Sequence, residues 1–378
     1  MKTPMEKIAQ KEITLCGAFG FGNAGDEAVY LAVQDLVEDA GMPVKINILG
    51  RYDTPFVPGI IGLGAQDRVR RRALAHIHLA LVGGGIIEAE PHSTIFRCSE
   101  CLKNSFVEKK ILFAAGVEAG VHFSWWQRRK IRKILKEIQQ FTVRDVLSQE
   151  ILKRILHKER IEVVGDSVLW LRADTENIPT QVTQLGNYVA VALNGNWATE
   201  EAWDNWISKE LVKVAHHLNN IPIVFVHMSA VYDDDRVENS KIAARMREID
   251  SNVTIVNLIE ELSPRTIAGI FKKSELTISM RLHGCVMAYA QKTPFIGLAY
   301  HPKLMGFGRT VGWSDFVLPH KLPEFQTPGV YGYRFGDLSL SGEHLIKYVD
   351  RALKFGNFDM LEPYKTRQKE LFKAFLES

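Results

Sequence analysis

Short apolar runs alternate with helix-length amphipathic segments along most of this chain, and that alternation restricts its fold more than any other feature. An apolar run bounded by turn residues, then a helix, then another apolar run reads as parallel strands joined by crossover helices. The first unit shows the pattern in full. Residues 13–16 predict a buried strand, 17–26 a glycine-rich turn, and 27–38 a helix with Ala28, Leu31, Ala32 and Leu36 at roughly helical spacing. Further strands are predicted at 44–48, 79–82, 111–115, 141–143 and 161–164. Among the intervening helices, Ile131, Ile134, Leu135 and Ile138 fall at i, i+3, i+4 and i+7, a single apolar stripe.

Near residues 171–185 the pattern lapses into polar residues around Pro179, which reads as a linker. A second series follows, with strands predicted at 188–193, 221–226, 253–257, 276–279 and 295–298. Its helices are predicted at 202–218, 264–271 and 286–291, and a mostly helical segment runs over 341–376. The class is therefore α/β, with two parallel-sheet domains facing each other. Length agrees, since 378 residues exceed the ~150 expected of one domain. The expected boundaries are 1–178, 179–340 and a terminal helical segment at 341–378.

Composition narrows the function. Lys plus Arg total 47 and Asp plus Glu 44, so the net charge of +3 lacks the basic excess of a nucleic-acid binder. Four cysteines exclude a disulfide-built scaffold. No run reaches the ~18 apolar residues of a membrane span. The opening Met1-Lys2-Thr3-Pro4 is not followed by an apolar signal region, so a cytoplasmic protein is expected.

The residues able to do chemistry cluster at predicted strand ends. The Gly17–Asp26 turn precedes a helix, and a helix start offers free N–H groups and a positive dipole end to an anion. Its spacing is not that of a P-loop, although Gly20 to Gly25 matches G-x-G-x-x-G. Gly83, Gly84 and Gly85 follow another strand and point to the same sheet edge. Arg281 and His283 end a third strand. Two apart in extended chain, they would share one side. Arg281 can clamp a phosphate or carboxylate, and His283 suits proton transfer near neutral pH. His301 and Lys303 end the next strand, and Arg144-Asp145 and Asp166 end two more. An ion pair and a helix N-cap are the plainer explanations for Asp145 and Asp166. Cys98 and Cys101 have C-x-x-C spacing, but with His92 they leave a zinc set incomplete. Two stretches are locally basic, Arg68 to Arg72 and Trp125 to Lys136. The second reads as a solvated helix face or as docking to an anionic membrane surface.

These segments together resemble the polysaccharide pyruvyl transferase family. The likeness rests on Gly20-Phe21-Gly22-Asn23-Ala24-Gly25-Asp26-Glu27-Ala28, Val82-Gly83-Gly84-Gly85, Val143-Arg144-Asp145, Gly165-Asp166, Met280-Arg281-Leu282-His283 and Tyr300-His301-Pro302-Lys303, in the family's order. The resemblance implies a GT-B-like fold, with two Rossmann-like domains around a central cleft and a C-terminal helix crossing back to the first. It implies transfer of a pyruvyl unit from phosphoenolpyruvate to a hexose of a cell-surface polysaccharide or its precursor. The acceptor would be a glycan or a lipid-linked saccharide, with no cofactor and no metal. His283 would be the general acid, with Asp26 and Asp166 as candidate bases. Arg144, Arg281 and Lys303 would hold the donor, and Gly22, Asn23, Gly84, Gly85 and His301 would complete its site. The chain departs from the family pattern at Ile86 to His92 and at Glu118. Two other readings remain open, a GT-B glycosyltransferase using a nucleotide sugar and a non-catalytic glycan- or anion-binding protein.

Overall fold

The computed structural model describes residues 11–62, 78–89, 94–99, 109–118, 123–195, 201–231, 234–319 and 344–377. The basic run Arg68 to Arg72, and His92 and Cys101, lie outside them.

Two parallel sheets form the frame. The first contains β1 (Lys11–Cys16), β2 (Val44–Gly50), β3 (Ile60–Gly62), β4 (His78–Val82), β5 (Gly85–Ile87), β6 (Lys110–Val117), β7 (Gln140–Val143) and β8 (Glu162–Val163). Their order is β3-β2-β1-β4-β6-β7-β8, with β5 paired beside β6. The second contains β9 (Val189–Ala192), β10 (Ile223–Phe225), β11 (Ile255–Asn257), β12 (Leu276–Ser279), β13 (Phe295–Ala299) and β14 (Val317–Pro319), ordered β11-β10-β9-β12-β13-β14. Both orders run outward from the first strand, then back past it, which is the doubly wound arrangement. The strands are near-continuous Val, Ile, Leu and Ala because helices cover both faces.

Helices α1 (Ala24–Asp39), α2 (Thr94–Arg97), α3 (Trp125–Leu135) and α4 (Val146–Leu156) belong to the first half, and α5 (Thr180–Thr183) lies in the connection between the sheets. The second half carries α6 (Glu201–His217), α7 (Asp235–Ile249), α8 (Pro264–Lys273), α9 (Leu282–Ala290) and α10 (Pro302–Thr310). One expectation needs correction. The helix predicted at 286–291 begins at Leu282, because Arg281 already breaks from the strand as its N-cap. Arg281 and His283 therefore sit on a helix start and not on an extended edge. Cys98 is joined to Cys16 at the end of β1.

Asp35 of α1 ties the halves together. Both its oxygens accept from the Arg265 guanidinium of α8, at 2.7 and 2.8 Å, and one also accepts from the Arg172 backbone N–H at 2.9 Å. Such a bidentate pair fixes orientation as well as distance. Nearer the sheet edges, Ala24 N–H donates to the Met228 carbonyl at 2.8 Å, and Asn23 forms an antiparallel bridge with Ser229.

The chain ends in α11 (Ile346–Phe355) and α12 (Leu361–Glu377). The second of these lies against the first sheet. Phe372 is fully buried and meets Phe113 of β6 edge-on at 5.1 Å between centroids. Gln368 donates to the carbonyls of Val164 and Asp166 at 2.9 and 3.1 Å. The terminal helix thus buttresses the loop that carries Asp166. Replacing Phe372→Ala leaves a cavity under that helix and should cost about 3–5 kcal/mol in urea unfolding. A loss below ~1 kcal/mol, typical of a surface change, would contradict this docking.

Candidate active site

The C-terminal ends of both sheets open on one cavity of about 190 Å³. At each sheet's switch point, where the winding reverses, neighbouring strands diverge into loops that leave room for a ligand. The first switch point lies between β1 and β4 and contributes Ala18, Asn23, Asp26 and Gly85. The second, between β9 and β12, contributes Arg281, Leu282 and His283. Arg144, Tyr300, His301 and Lys303 close the walls, with Glu88 and Glu118 also in the lining.

Three helices begin at this cavity. Asn23, Arg281 and His301 are the N-caps of α1, α9 and α10, and all three line it. The positive ends of three dipoles converge there, an arrangement that favours an anion, while the first N–H groups of α1 and α10 are already taken by Met228, Asn23 and His301.

His283 stands in the first turn of α9, packed on the backbone of α1. A Cβ placed on Gly25 would lie 2.3 Å from its Nδ1, so only glycine leaves the ring room. Its Nε2 faces Asp166 Oδ2 at 3.6 Å. That is beyond hydrogen-bond length, and both buried atoms lack a hydrogen-bond partner. The other oxygen of Asp166 accepts from Val168 N–H at 2.9 Å, so the residue is an N-cap on one side and faces the imidazole on the other. Burial would raise the Asp166 carboxyl. The facing His283 and the Arg144 guanidinium outweigh it and hold the group below its ordinary value.

Arg144 leaves β7 and is buried. It donates through Nε to Asp145 at 3.0 Å, and its Nη1 lies 3.9 Å from Asp166. Gly116 makes space for it, since a Cβ there would come within 2.6 Å of the guanidinium carbon. Arg281 is differently engaged. Its Nε lies 3.1 and 3.2 Å from the oxygens of Asp235, a fully buried residue at the start of α7, and its Nη2 also donates to that carboxylate. Arg281 thus lines the cavity with its charge already balanced by a carboxylate. Asp235 was not foreseen; the acidic run Asp233-Asp234-Asp235 was the signal that could have found it.

Lys303 makes no ion pair among the described residues, and its Nζ lies 5.9 Å from the Tyr300 ring centre. Tyr300 is held by the Asn194 amide, which donates to its hydroxyl at 2.9 Å. His301 Nδ1 accepts from Lys303 N–H at 3.2 Å. Burial, with the Lys303 and Arg144 charges adding to it, pushes the His301 imidazole down to about 3, so it is neutral near pH 7. Asp26 faces these cations. Its surface is partly open through the cavity, yet protein surrounds the carboxyl, and that burial raises its pKa against the pull of His283, Lys303 and Arg144.

Of the remaining predicted residues, Gly84 lies just behind the lining. It has φ +54°, and a Cβ there would be 3.1 Å from Asp26 Oδ1. Gly22 has φ +68° and packs against Val231, outside the lining. Among the described residues no group of three or more His, Cys, Asp or Glu is placed to hold a metal ion.

Glu27, beside Asp26 on α1, is buried. Burial lifts its carboxyl from 4.5 to about 7, with Glu261 and Asp26 adding to this and Thr54 opposing it. A raised carboxyl keeps its proton in the fold after the unfolded chain has lost it. Stability therefore falls as pH rises from about 4.5 through about 7. Glu238 shifts the same way, so the informative quantity is the difference between two proteins. Relative to Glu27→Gln, the native chain should lose stability across this window at up to about 1.4 kcal/mol per pH unit. Urea midpoints at both ends of the window measure it, and a constant difference would mean Glu27 is ionised in the fold.

Comparison with known proteins places these features in context. A family model described as polysaccharide pyruvyl transferase matches residues 23–302. No curated protein matches the chain. Among solved structures, a putative UDP-N-acetylglucosamine 2-epimerase from Listeria monocytogenes is 11% identical, with TM-score 0.61, over 98% of this chain and 96% of that one. The UDP-GlcNAc 2-epimerase from Neisseria meningitidis, bound to UDP-GlcNAc, is 14% identical with TM-score 0.57, over 97% and 99%. The Methanocaldococcus jannaschii UDP-GlcNAc 2-epimerase is 11% identical with TM-score 0.58, over 97% and 100%. At these identities the likeness is one of fold, and the fold is GT-B, two Rossmann-like domains about a cleft.

Proposed function

This chain belongs to the polysaccharide pyruvyl transferase family, and from that premise we propose that it transfers a pyruvyl group from phosphoenolpyruvate to a hexose of a polysaccharide or its precursor. The observation that carries this reading is the convergence of three helix N-termini with Arg144 and Lys303 around the unpartnered Nε2 of His283. Phosphoenolpyruvate has a phosphate and a carboxylate on three carbons. A cavity of about 190 Å³ is large enough to admit such a donor.

Lys303 and the N-termini of α9 and α10 would hold one anionic group, and Arg144 with the start of α1 the other. Arg281, already balanced by Asp235, shapes the wall and adds N–H groups. His283 donates its proton to the methylene carbon. Positive charge develops at the adjacent carbon, and a sugar hydroxyl oxygen attacks there. Asp26, made more basic by burial, accepts the hydroxyl proton. The bond to the phosphate oxygen then breaks, a second hydroxyl closes the ketal, and phosphate departs. Of the two hydroxyl protons lost by the sugar, one replaces the proton given to the new methyl group and the other leaves with phosphate. Asp166 stabilises positive charge on the imidazole, whose orientation is set by the first turn of α9 and by Gly25. The fixed N–H groups and cations need no rearrangement as charge moves to the leaving group. Glu88 and Glu118 in the same lining offer acceptors to sugar hydroxyls.

The direct test is phosphate release from phosphoenolpyruvate with a panel of hexosides, and mass spectrometry of the sugar product. Phosphate without a ketal, or thermal stabilisation by UDP-sugars and not by phosphoenolpyruvate, would overturn the reading. His283→Ala should lower turnover by ~10²–10⁴-fold with donor affinity retained. Gly25→Ala should reach a comparable loss by displacing the ring, since an ~1 Å misplacement alone can cost ~10²-fold. The same overpacking should cost about 1–3 kcal/mol of stability, so activity is compared below the variant's unfolding temperature, where full activity in Gly25→Ala would remove His283 from the mechanism.

A further inference from the structure

Helix α3 turns an unusual face to water. Its buried side carries Ile131, Ile134 and Leu135. Its outward side carries Trp125, Trp126, Arg129, Lys130 and Lys133, continued by Lys136 at the C-cap, and no acid occurs from Trp125 to Lys136. Trp125 is 56% and Trp126 72% exposed, although tryptophan is normally the most costly side chain to leave in water. The two rings meet edge-on at 4.4 Å, and Arg129 lies over Trp125 at 5.7 Å. The helix is firmly built. Ser124 and Gln127 form a capping box, and the Gln127 amide also donates to the Ala89 carbonyl.

We propose that this face of α3 docks on the surface of an anionic lipid bilayer. Tryptophan rings settle at the headgroup level, where the ring is dehydrated and the indole N–H stays wet. Lys and Arg are drawn to anionic headgroups within a Debye length. A helix that lies on a membrane needs both signals, and here both occupy one stripe. A single nucleic-acid strand fits less well, since stacking bases needs open ring faces and here one ring is covered by Arg129 and the pair is edge-on.

The position adds a consequence. Ala89, which accepts from Gln127, itself donates to Glu118 at 2.9 Å, and Glu88 and Glu118 line the cavity. The tryptophan end of α3 is therefore joined to the carboxylate side of the site, and docking would bring that side toward the bilayer. This inference does not rest on the pyruvyl-transfer reading: a chain inactive on phosphoenolpyruvate would still bind vesicles.

The experiment is co-sedimentation of the full chain with phosphatidylcholine vesicles and with vesicles in which phosphatidylglycerol replaces a third of the lipid. Binding is expected only to the second set and should weaken as salt shortens the Debye length from ~10 Å at 0.1 M toward ~3 Å at 1 M. Arg129→Glu with Lys133→Glu should lower the partition by at least ~25-fold, about fivefold for each cation lost. Trp125→Ala with Trp126→Ala should lower it without changing the unfolding temperature. In the native chain, lipids with brominated acyl chains should quench tryptophan fluorescence. Absence of vesicle binding, binding unchanged in both variants, no quenching, or tighter binding to poly(U) than to the vesicles would each overturn the proposal.

Discussion

The site depends on one contact across the two domains, the Asp166 carboxylate of the first facing the His283 imidazole of the second, with Arg144 beside them. Neither domain alone holds this charge pattern. Its geometry is fixed from three sides. Asp166 is capped to Val168 and held through its carbonyl by Gln368 of the terminal helix. His283 is fixed by its place in the first turn of α9 and by the bare backbone of Gly25. The halves are joined by the pair of buried Asp35 with half-buried Arg265, and losing the guanidinium would leave a buried carboxylate without its charge partner. Because 3.6 Å is slightly too long for a hydrogen bond, two buried polar atoms stay unsatisfied, and a buried unsatisfied atom asks for a partner. A donor oxygen or a small closure of the cleft would supply one.

Glycine does here what no side chain could. Gly25 and Gly116 exclude a Cβ where a ring or a guanidinium must lie, and Gly84 brings a left-handed backbone close to Asp26. The glycine pattern thus reports packing around functional side chains as much as a turn, which is why it departs from a nucleotide fingerprint. In the usual fingerprint the glycines admit a pyrophosphate. In this chain some of that space is filled by protein groups.

Much of the frame was legible in the sequence because parallel strands buried on both faces leave unmixed apolar runs. Residues 276–279 were read to the residue for this reason. Helix α7 was missed because its exposed side is rich in Arg, Glu and Lys and its apolar stripe reduces to Ile242, Ala243 and Met246. β14 is too short to stand out, and α10 carries Gly306 and Gly308. The reading of strand ends brought His283, His301, Lys303, Arg144 and Asp26 to one cavity, since every parallel strand delivers its C-terminal loop to the same edge. It brought Arg281 there too but did not show its partner, because charge partners are set by the fold. Asp235 lies 46 positions away, and the Cys16–Cys98 bond spans 82. No local spacing encodes either.

The balance of charge around the cavity decides what it can hold. Counted naively, Arg144, Arg281 and Lys303 make a strongly positive pocket. Asp235 cancels one guanidinium, and Asp145 and Asp166 share another. What remains is Lys303, the part of the Arg144 guanidinium that Asp145 does not take, the positive ends of three helix dipoles and a neutral His301. Such a site attracts an anion by fixed dipoles more than by net charge. Binding through oriented dipoles releases less when the anion leaves, because the dipoles stay in place and water replaces the ligand at small cost. On the proposed pyruvyl transfer, phosphate has to leave at each turnover, and a pocket of three unopposed cations would hold it. On that reading, the carboxylates that seem to weaken the site are what would allow it to turn over.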